Sequence, residues 1–258
     1  MNLEIYWSNI MKSWFEVNKI DDLTYVISEP FHWEKTNSYL LIGKEKCALI
    51  DTGLGISNIR KIIDKLTNLP IIVLTSHGHW DHIGGHKYFN NIAIHEYEES
   101  WPSGHFHIDL EEVKKEISKN NDIFPKNFYL SNYRIYDGGS NITIYDGKLI
   151  DLGNRLIKIN TPGHSPGHCS FYDISNKYLF SGDLIYKGIL YAYYPSTDPI
   201  KFYESILKVE KLKIDKIFPG HYEYNLSYNF ISEIKRGFEN IKNNGGLIQG
   251  RGVFNFSD

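Results

Sequence analysis

Three histidines and one aspartate fall within six consecutive positions of the sequence, at His77, His79, Asp81 and His82. This run follows an apolar stretch, residues 71–74, that is typical of a buried strand. Buried imidazole and carboxylate groups are costly unless they find a partner, and a divalent cation is such a partner. The first two histidines can project to one side of an extended segment, whereas the last two members begin the next turn. The spacing therefore favours two metal ions over one.

Three shorter polar islands occur later in the chain, each directly after an apolar strand-like run. They contain His164, Asp183 and His221. A glycine stands beside each of these residues, and glycine allows positive φ angles and close backbone approach. We predict that the islands are loops at strand ends that converge on one edge of the fold and bring their side chains into a shared cleft.

The elements that must position these residues alternate between short apolar runs and amphipathic helical patterns. Runs rich in β-branched and aromatic residues predict strands, and apolar residues at spacings of three and four predict helices. The predicted strands are 23–27, 39–42, 48–50, 71–74, 156–159, 170–172, 178–180 and 217–218. The predicted helices lie within 56–69, behind a Ser57 cap, and within 202–212 and 226–241.

One stretch, residues 96–141, lacks this regular alternation. Asp109 and Glu112 form a capping pattern that predicts the start of one helix, and the rest of the stretch is aromatic and polar. We interpret the stretch as an insertion or lid. No repeat, low-complexity tract or linker divides the sequence, so residues 1–258 are predicted to form a single domain.

Taken together, these residues resemble the metallo-β-lactamase superfamily. Residues 77–82 match its HxHxDH signature at every fixed position. The resemblance extends to Asp51-Thr52-Gly53 and to the TPGH, SGD and PGH loops that carry the three later residues, and it covers roughly residues 23–221. It implies an α/β fold, the four-layer αββα sandwich of that superfamily, with metals at one edge of the two sheets.

Carried over position by position, the resemblance implies a site for two divalent metal ions. Zinc suits nitrogen and carboxylate ligands without a thiolate, although iron and manganese also accept them. Asp51 would orient one of the ligands. The implied ligands are His77, His79 and His164 for one ion, Asp81, His82 and His221 for the other, and Asp183 as the bridge between them.

Such a site supports metal-assisted hydrolysis. Two ions roughly 3.5–4 Å apart can share a hydroxide while one of them polarises a carbonyl group, so no serine or cysteine nucleophile is needed. Asp81 would hold the proton of the hydroxide. Tyr186 stands three residues after Asp183, where the lactonases of the superfamily place a tyrosine that contacts the substrate carbonyl. A packing role for Tyr186 is equally compatible with the sequence.

The closest likeness within the superfamily is to small hydrolases that act as acyl-CoA thioesterases, which predicts an acyl-CoA or another thioester as substrate. Shared stretches include residues 50–55, 146–153, 179–186, 194–196 and 218–221. True β-lactamases typically carry arginine at the position of His82, and the glyoxalase II pattern has a longer helical extension than follows His221 here. A lactonase, a glyoxalase II-like hydrolase and a mononuclear iron sulfur dioxygenase remain alternatives, as does a binding module without activity.

For residues outside the signature we predict structural or surface roles. His86 and His168 are predicted to form structural hydrogen bonds, and Cys47 and Cys169 to be small core residues. The histidines expected at the surface or in the lid are His32, His95, His105 and His107. Six aromatic residues either line an apolar acyl groove or simply cover the core, namely Phe106, Phe124, Phe128, Tyr129, Tyr133 and Tyr136.

The composition is that of an ordinary globular protein, with 41% hydrophobic and 23% charged residues among 258. A net charge of −3 without a basic stripe argues against nucleic-acid binding and favours a small-molecule substrate. Two cysteines in no paired motif argue against a disulfide framework, and we expect a cytoplasmic protein. No run reaches the roughly 18 apolar residues of a membrane span, and formation of a homo-oligomer is left open.

Overall fold

Two mixed β-sheets form the centre of the molecule. The computed structural model describes residues 13–99, 109–119, 123–158, 160–250 and 254–255. The first sheet contains β1 (Glu16–Asp21), β2 (Thr24–Ser28), β3 (Asn37–Ile42), β4 (Cys47–Ile50), β5 (Ile71–Leu74), β6 (Ile92–His95) and β7 (Ile142–Ile144). The second contains β8 (Ile150–Asp151), β9 (Leu156–Lys158), β10 (Phe171–Asp173), β11 (Tyr178–Gly182) and β13 (Lys216–Pro219). A small ribbon joins β12 (Ile189–Leu190) to β14 (Phe254–Asn255).

Each sheet combines antiparallel and parallel strand pairs. The first sheet has the order β1-β2-β3-β4-β5-β6-β7, antiparallel up to β4 and parallel from β4 onwards. The second has the order β13-β11-β10-β9-β8, in which only the β11–β13 pair is parallel. The carboxyl ends of β4 and β5 therefore open on the same edge of the first sheet, and those of β11 and β13 on the same edge of the second.

Five α-helices accompany the sheets in the described part of the chain. They are α1 (Arg60–Leu66), α2 (Trp80–Ile83), α3 (Leu110–Ser118), α4 (Pro199–Glu210) and α5 (Asn229–Asn243). Two single turns of 3-10 helix span His86–Tyr88 and Leu130–Asn132. As predicted, the Asp109 side chain caps α3, because it accepts hydrogen bonds from the backbone N–H groups of Glu111 and Glu112.

The fold has four layers because central strands such as β3 and β4 are buried on both faces. In β4, Leu49 packs towards the helical side while Ile50 packs between the sheets. The layer between the sheets includes Tyr39, whose ring centroid lies 5.1 Å from that of Phe180 and 5.7 Å from that of Phe218. Residues of α1 and α3 cover the outside of the first sheet, and those of α4 and α5 cover the second. The predicted αββα sandwich is confirmed.

Several predicted element boundaries were wrong. The first helix begins at Arg60 rather than behind Ser57, because the Asn58 side chain accepts the backbone N–H of Arg60. Leu226, predicted to begin the last helix, instead forms an antiparallel bridge with Ile217. The predicted strands overlooked β1, β6, β7, β8, β12 and β14. None of the helices in the described residues is both long and apolar enough to cross a membrane.

Candidate active site

Two groups of metal-ligating side chains meet at the edge where the strand ends of both sheets converge. Within each group, one potential ligand atom per residue lies within 4.8 Å of the others. The first group contains His77, His79, His164 and Asp183, and the second contains Asp81, His82 and His221. The prediction that the separated islands form one cleft is confirmed, because all seven residues predicted as ligands belong to these two groups.

Local backbone structure brings the N-terminal members together. His77 is the third residue after β5, and His79 is the extended residue before α2. Asp81 and His82 lie in the single turn of that short helix. Their side chains therefore point in a different direction from those of His77 and His79. This arrangement is the physical basis of the division into two groups.

The loop that carries His164 depends on a glycine. Gly163 has a φ angle of 138°, and a Cβ atom built there would lie 2.3 Å from the backbone of Phe202 in α4. Any other residue would combine an unfavourable φ angle with a steric clash. Gly163 therefore allows close packing between this loop and α4. His164, the next residue, extends from the packed loop into the site.

The ligand atoms of the first group are close together. His79 Nδ1 lies 2.9 Å from His77 Nε2 and 3.0 Å from His164 Nε2. Asp183 Oδ2 is 3.5 Å from His164 Nε2 and 4.0 Å from His77 Nε2. Three imidazole nitrogens and a carboxylate oxygen thus face a common point.

The second group has the same character. His82 Nε2 lies 3.2 Å from His221 Nε2, and Asp81 Oδ2 lies 3.5 and 3.6 Å from these two atoms. Asp183 Oδ1 is 3.2 Å from both Nε2 atoms. Its Oδ2 atom lies 3.2 Å from His221 Nε2 and 3.5 Å from His164 Nε2, so Asp183 contacts both groups with one carboxylate.

The remaining ring nitrogens of three of the histidines contact fixed groups behind the site. Nδ1 of His82 lies 2.9 Å from Asp51 Oδ2, and Nδ1 of His221 lies 2.9 Å from the carbonyl oxygen of Glu34. Nδ1 of His164 lies 3.3 Å from the carbonyl oxygen of Tyr191. An N–H donor at Nδ1 leaves Nε2 with its lone pair directed into the site, which is the tautomer that a metal ligand requires.

Asp51 supports both groups. Its carboxylate accepts hydrogen bonds from Ser76 N at 2.7 Å and from Ser76 Oγ at 2.6 Å. Ser76 Oγ in turn lies 2.9 Å from Nδ1 of His77. Asp51 thus contacts His82 directly and His77 through Ser76, and its role in orienting a metal ligand stays a prediction. Its φ angle of 55° is unusual for a residue other than glycine.

The electrostatics of the site favour a cation. Burial would lower the pKa of His221, but Asp183 and Glu34 raise it to about 9. Burial also opposes charging of His82, and Asp183, Asp81 and Asp51 nevertheless raise its pKa well above the usual range. The carboxylates therefore stabilise positive charge on buried imidazoles. A metal ion would supply positive charge at the same place.

The donor set fits divalent ions in two further respects. Burial and neighbouring histidines hold the pKa of His77 well below its usual value, so at neutral pH it is the neutral ring that can bind a metal. Asp183 Oδ1 is buried and accepts no hydrogen bond of good geometry, although two Nε2 atoms lie near it. A lone pair left in this position is suited to a cation. These two groups are able to hold metal ions.

A cavity of about 740 Å³ opens above the two groups. His79, Asp81 and Asp183 lie at its floor, and Glu34 adds a further carboxyl group. Burial raises the pKa of Glu34 to about 8, with a further contribution from Asp81. The walls consist of Trp33, Trp80, Glu112, Val113, Lys115, Glu116, Lys119, Tyr186, Tyr191, Tyr194, Pro195, Ser196 and Tyr222.

Tyr186 lies at the cavity wall with its ring centroid 5.3 Å from that of His221. Its side chain is only 2% exposed, and its hydroxyl group donates a hydrogen bond to the carbonyl oxygen of Ile189. The phenol hydrogen is thus directed at the protein backbone rather than at the cavity. A role of Tyr186 towards the substrate stays a prediction.

The predictions for the other histidines have different outcomes. His86 contacts the hydroxyl groups of Thr52 and Thr75, and His168 Nε2 accepts the backbone N–H of Asp183, so their structural roles are confirmed. His32 and His95 are each 1% exposed, so the expectation of surface or lid positions for them was wrong. His105 and His107 lie outside the described residues. Both cysteines are buried and free, as predicted.

The aromatic residues of the 96–141 stretch contribute to the core rather than to the cavity. Phe124, Phe128 and Tyr136 pack against the cluster beneath the first sheet, and Tyr133 is buried in it. Tyr129 is 63% exposed, and Phe106 lies outside the described residues. Among the described residues, the part of this stretch that lines the cavity is α3 with Lys119. The interpretation as core cover is therefore favoured over the acyl groove.

Sequence reasoning missed several residues that support the site. Glu34, Ser76 and the carbonyl oxygen of Tyr191 each contact a histidine of the two groups. Glu98 is fully buried and joins two of the loops that carry these histidines. Only the position of Ser76 beside His77 could have drawn attention to one of them.

The comparisons with known proteins agree with this site. The Metallo-beta-lactamase superfamily model matches residues 33–221. An acyl-coenzyme A thioesterase, MBLAC2 of Bos taurus, is 26% identical over 249 residues, which cover 85% of this chain and 88% of the relative. A hydroxyacylglutathione hydrolase of Salmonella typhi is 25% identical over 76% of this chain and 62% of its own length.

The solved structures agree with the observed layers. A metallo-beta-lactamase from Pontibacter korlensis matches with a TM-score of 0.62 and 17% identity, covering 88% of this chain and 99% of that one. At this identity the likeness concerns the fold alone. The family model, however, spans most of the chain and includes every residue of the two groups. This chain therefore belongs to the metallo-β-lactamase superfamily and is a hydrolase.

Proposed function

We propose that this protein is a dinuclear metal-dependent thioesterase that hydrolyses an acyl-CoA or a related thioester. His77, His79 and His164 would hold one ion, and Asp81, His82 and His221 the other. Asp183 carries most of the support for this proposal, because its carboxylate lies between the two groups, with Oδ2 3.5 Å from His164 Nε2 and Oδ1 3.2 Å from the Nε2 atoms of His82 and His221. A carboxylate in this position is suited to hold two cations side by side.

Zinc is the ion that best suits this set of nitrogen and oxygen donors, and iron or manganese would also be accepted. A pair of such ions would supply Lewis acidity and lower the pKa of a bound water to about 7. The protein's own part is to orient the ligands, and the contacts of Asp51, Glu34 and Tyr191 perform it.

Asp81 is suited to act on the attacking water. Its carboxylate lies between His82 and His221 on one side and the cavity on the other, and the residue is 6% exposed. One oxygen atom can therefore face His82 and His221 while the carboxylate also accepts a hydrogen bond from a water in the cavity. Asp81 would in this way hold the proton of the nucleophile and fix its direction of attack.

The cavity is large enough for a substrate with an extended leaving group. Its volume of about 740 Å³ falls within the range of ligand pockets in proteins. The similarity to an acyl-coenzyme A thioesterase over most of both chains supports a thioester among the bonds that this site could cleave. A hydroxyacylglutathione hydrolase also acts in that chemical class, and it matches over less of its own length.

The proposal is tested by metal analysis followed by a substrate screen. The purified protein should contain two ions per chain and hydrolyse acyl-CoA faster than a lactone, a hydroxyacylglutathione or a phosphodiester. Asp183→Ala serves as the matched inactive control for contaminating esterases. A lactone or hydroxyacylglutathione preferred over acyl-CoA would replace the substrate, whereas a single iron with oxygen-dependent activity would replace the reaction with that of a sulfur dioxygenase.

A further inference from the structure

Glu98 is a buried carboxylate that no part of the proposed chemistry uses. It follows β6 and is 0% exposed. Its side chain forms no ion pair with any lysine, arginine or histidine among the residues that the structure describes. A carboxylate removed from water without a cationic partner is costly unless hydrogen bonds compensate for it.

Three hydrogen bonds supply that compensation. Glu98 Oε2 accepts the backbone N–H of Gly78 at 2.9 Å. Glu98 Oε1 accepts the hydroxyl group of Ser165 at 2.6 Å and the backbone N–H of Gly167 at 2.7 Å. Burial raises the pKa of Glu98 to about 7, and these three donors oppose the shift.

The three donors belong to two different loops of the site. Gly78 separates His77 from His79, and Ser165 directly follows His164. The two oxygen atoms of one carboxylate therefore hold two loops, one oxygen for each loop. Those loops carry the three histidines of the first group.

Close packing keeps the bridge short. A Cβ atom at Gly167 would lie 2.7 Å from Glu98 Cγ, so the second loop approaches the glutamate as closely as a glycine permits. The Glu98 backbone is itself fixed, since its N–H donates to the carbonyl oxygen of His95 at 2.8 Å. The second group has no corresponding contact with Glu98, because its members are backed by Asp51 and Glu34 instead.

We propose that Glu98 is a positioning residue that sets the distance between the two loops and thereby the metal affinity of the first group. This inference rests on the proposed metal site and does not depend on the identity of the substrate. Partners of metal ligands typically change affinity by 10- to 100-fold when they are removed, and loops held by such a partner are expected to respond similarly.

The test is a metal titration of Glu98→Gln. Its side-chain amide has nearly the shape of the carboxylate but retains one acceptor oxygen, so one loop must lose its contact. After chelation, Co²⁺ is titrated into the protein and followed by its visible absorption, with bound metal measured independently. The wild type is expected to bind two ions, whereas Glu98→Gln is expected to bind one ion normally and the other about 10- to 100-fold more weakly.

Glu99→Gln is the matched control, because it makes the same change one residue later at an exposed side chain. It should bind both ions as the wild type does. Ser165→Ala provides a gentler variant that keeps the carboxylate and its two backbone donors. It is expected to weaken the same ion by about fivefold, the equivalent of roughly 1 kcal/mol for one lost hydrogen bond.

The outcomes separate the alternatives. Normal binding of both ions by Glu98→Gln, or equal weakening of both, would overturn the positioning role. If Glu98→Gln fails to fold, an unchanged titration of Ser165→Ala would overturn it. Failure of the wild type to hydrolyse any thioester would leave this titration unaffected, so the proposed function and the role of Glu98 are tested separately.

Discussion

The floor and the walls of the cavity are built in different ways. The floor includes buried side chains such as His221 and Asp183, and other groups contact them from behind. The walls include exposed residues, for example Tyr194 at 49% exposure, Lys115 and Lys119. The difference indicates that the reaction chemistry is fixed by a dense polar network, whereas selectivity is left to side chains that can change without disturbing it.

The two regions also differ in the number of hydrogen bonds that support their side chains. Asp51 alone accepts three contacts from Ser76 and His82. In the walls, the Trp33 indole N–H donates to the carbonyl oxygen of Glu116. The Gln249 side-chain amide donates to the carbonyl oxygens of Pro195 and Thr197. A change to the floor should therefore impair metal binding, and a change to the walls should impair substrate binding.

The largest effect is expected for Asp183→Ala. This change removes the one carboxylate that faces both groups, so both ions should be lost and turnover should fall by more than about a hundredfold, beyond the effect of a supporting partner. Metal content by mass spectrometry of the digested protein and kcat are the measurements. Retention of both ions would show that Asp183 does not bridge them.

A smaller effect on the same region is expected for Asp51→Asn. Because Asp51 contacts His82 directly and His77 through Ser76, the affinity for both ions should fall by about 10- to 100-fold. Metal titration measures the change, and Asp64→Asn at the exposed surface of α1 is the control. Weakening confined to one ion would contradict the relay through Ser76.

Tyr186→Phe tests the boundary between the two regions. Loss of an oxyanion donor usually costs about 10²- to 10³-fold in kcat, but the hydroxyl group of Tyr186 donates to the Ile189 carbonyl oxygen. We therefore expect turnover to fall by less than about tenfold with metal content unchanged. Tyr172→Phe, which removes a similar bond to the Lys213 carbonyl oxygen, is the control. A hundredfold loss would assign the phenol directly to the reaction.

The smallest effect is expected for Gln249→Ala. The Gln249 side-chain amide donates to the carbonyl oxygens of Pro195 and Thr197, at 2.8 and 2.7 Å, beside the wall residues Tyr194 and Ser196. Losing about 1 kcal/mol of hydrogen bonding should raise KM by roughly fivefold and leave kcat and metal content unchanged. Steady-state kinetics measure the change.

The neighbouring Ile248, which is 47% exposed, provides the control for Gln249 through Ile248→Ala. A change in kcat or in metal content for Gln249→Ala, without a change in KM, would contradict the division between floor and walls.

The sequence was most informative about the floor, because its residues stand in dense and recognisable patterns. His77 to His82 and the three later loops could be grouped correctly before any geometry was known. The supporting residues had no such pattern: Glu98 is one of three glutamates between positions 96 and 99, and nothing local distinguishes the buried one. Long-range contact decides its role.

The walls were the least predictable region. Aromatic residues between positions 124 and 136 pointed to an acyl groove, but they are also suited to cover a core, and the structure uses them in that way. The sequence predicted the start of α3 but gave no role to its polar side chains, and Lys115 and Glu116 line the cavity. A hydrophobic pattern identifies which face of an element is apolar but not what its polar face meets.

The proposed ligands come from both halves of the sandwich: His77 and His82 follow a strand of the first sheet, whereas Asp183 and His221 follow strands of the second. Ions held by all of them would act as a staple between two halves of the polypeptide. Ligand binding to the folded state alone contributes to its stability by mass action. Metal supply would then govern the lifetime of the folded chain as well as its turnover, and starvation for the ion would expose the protein to degradation.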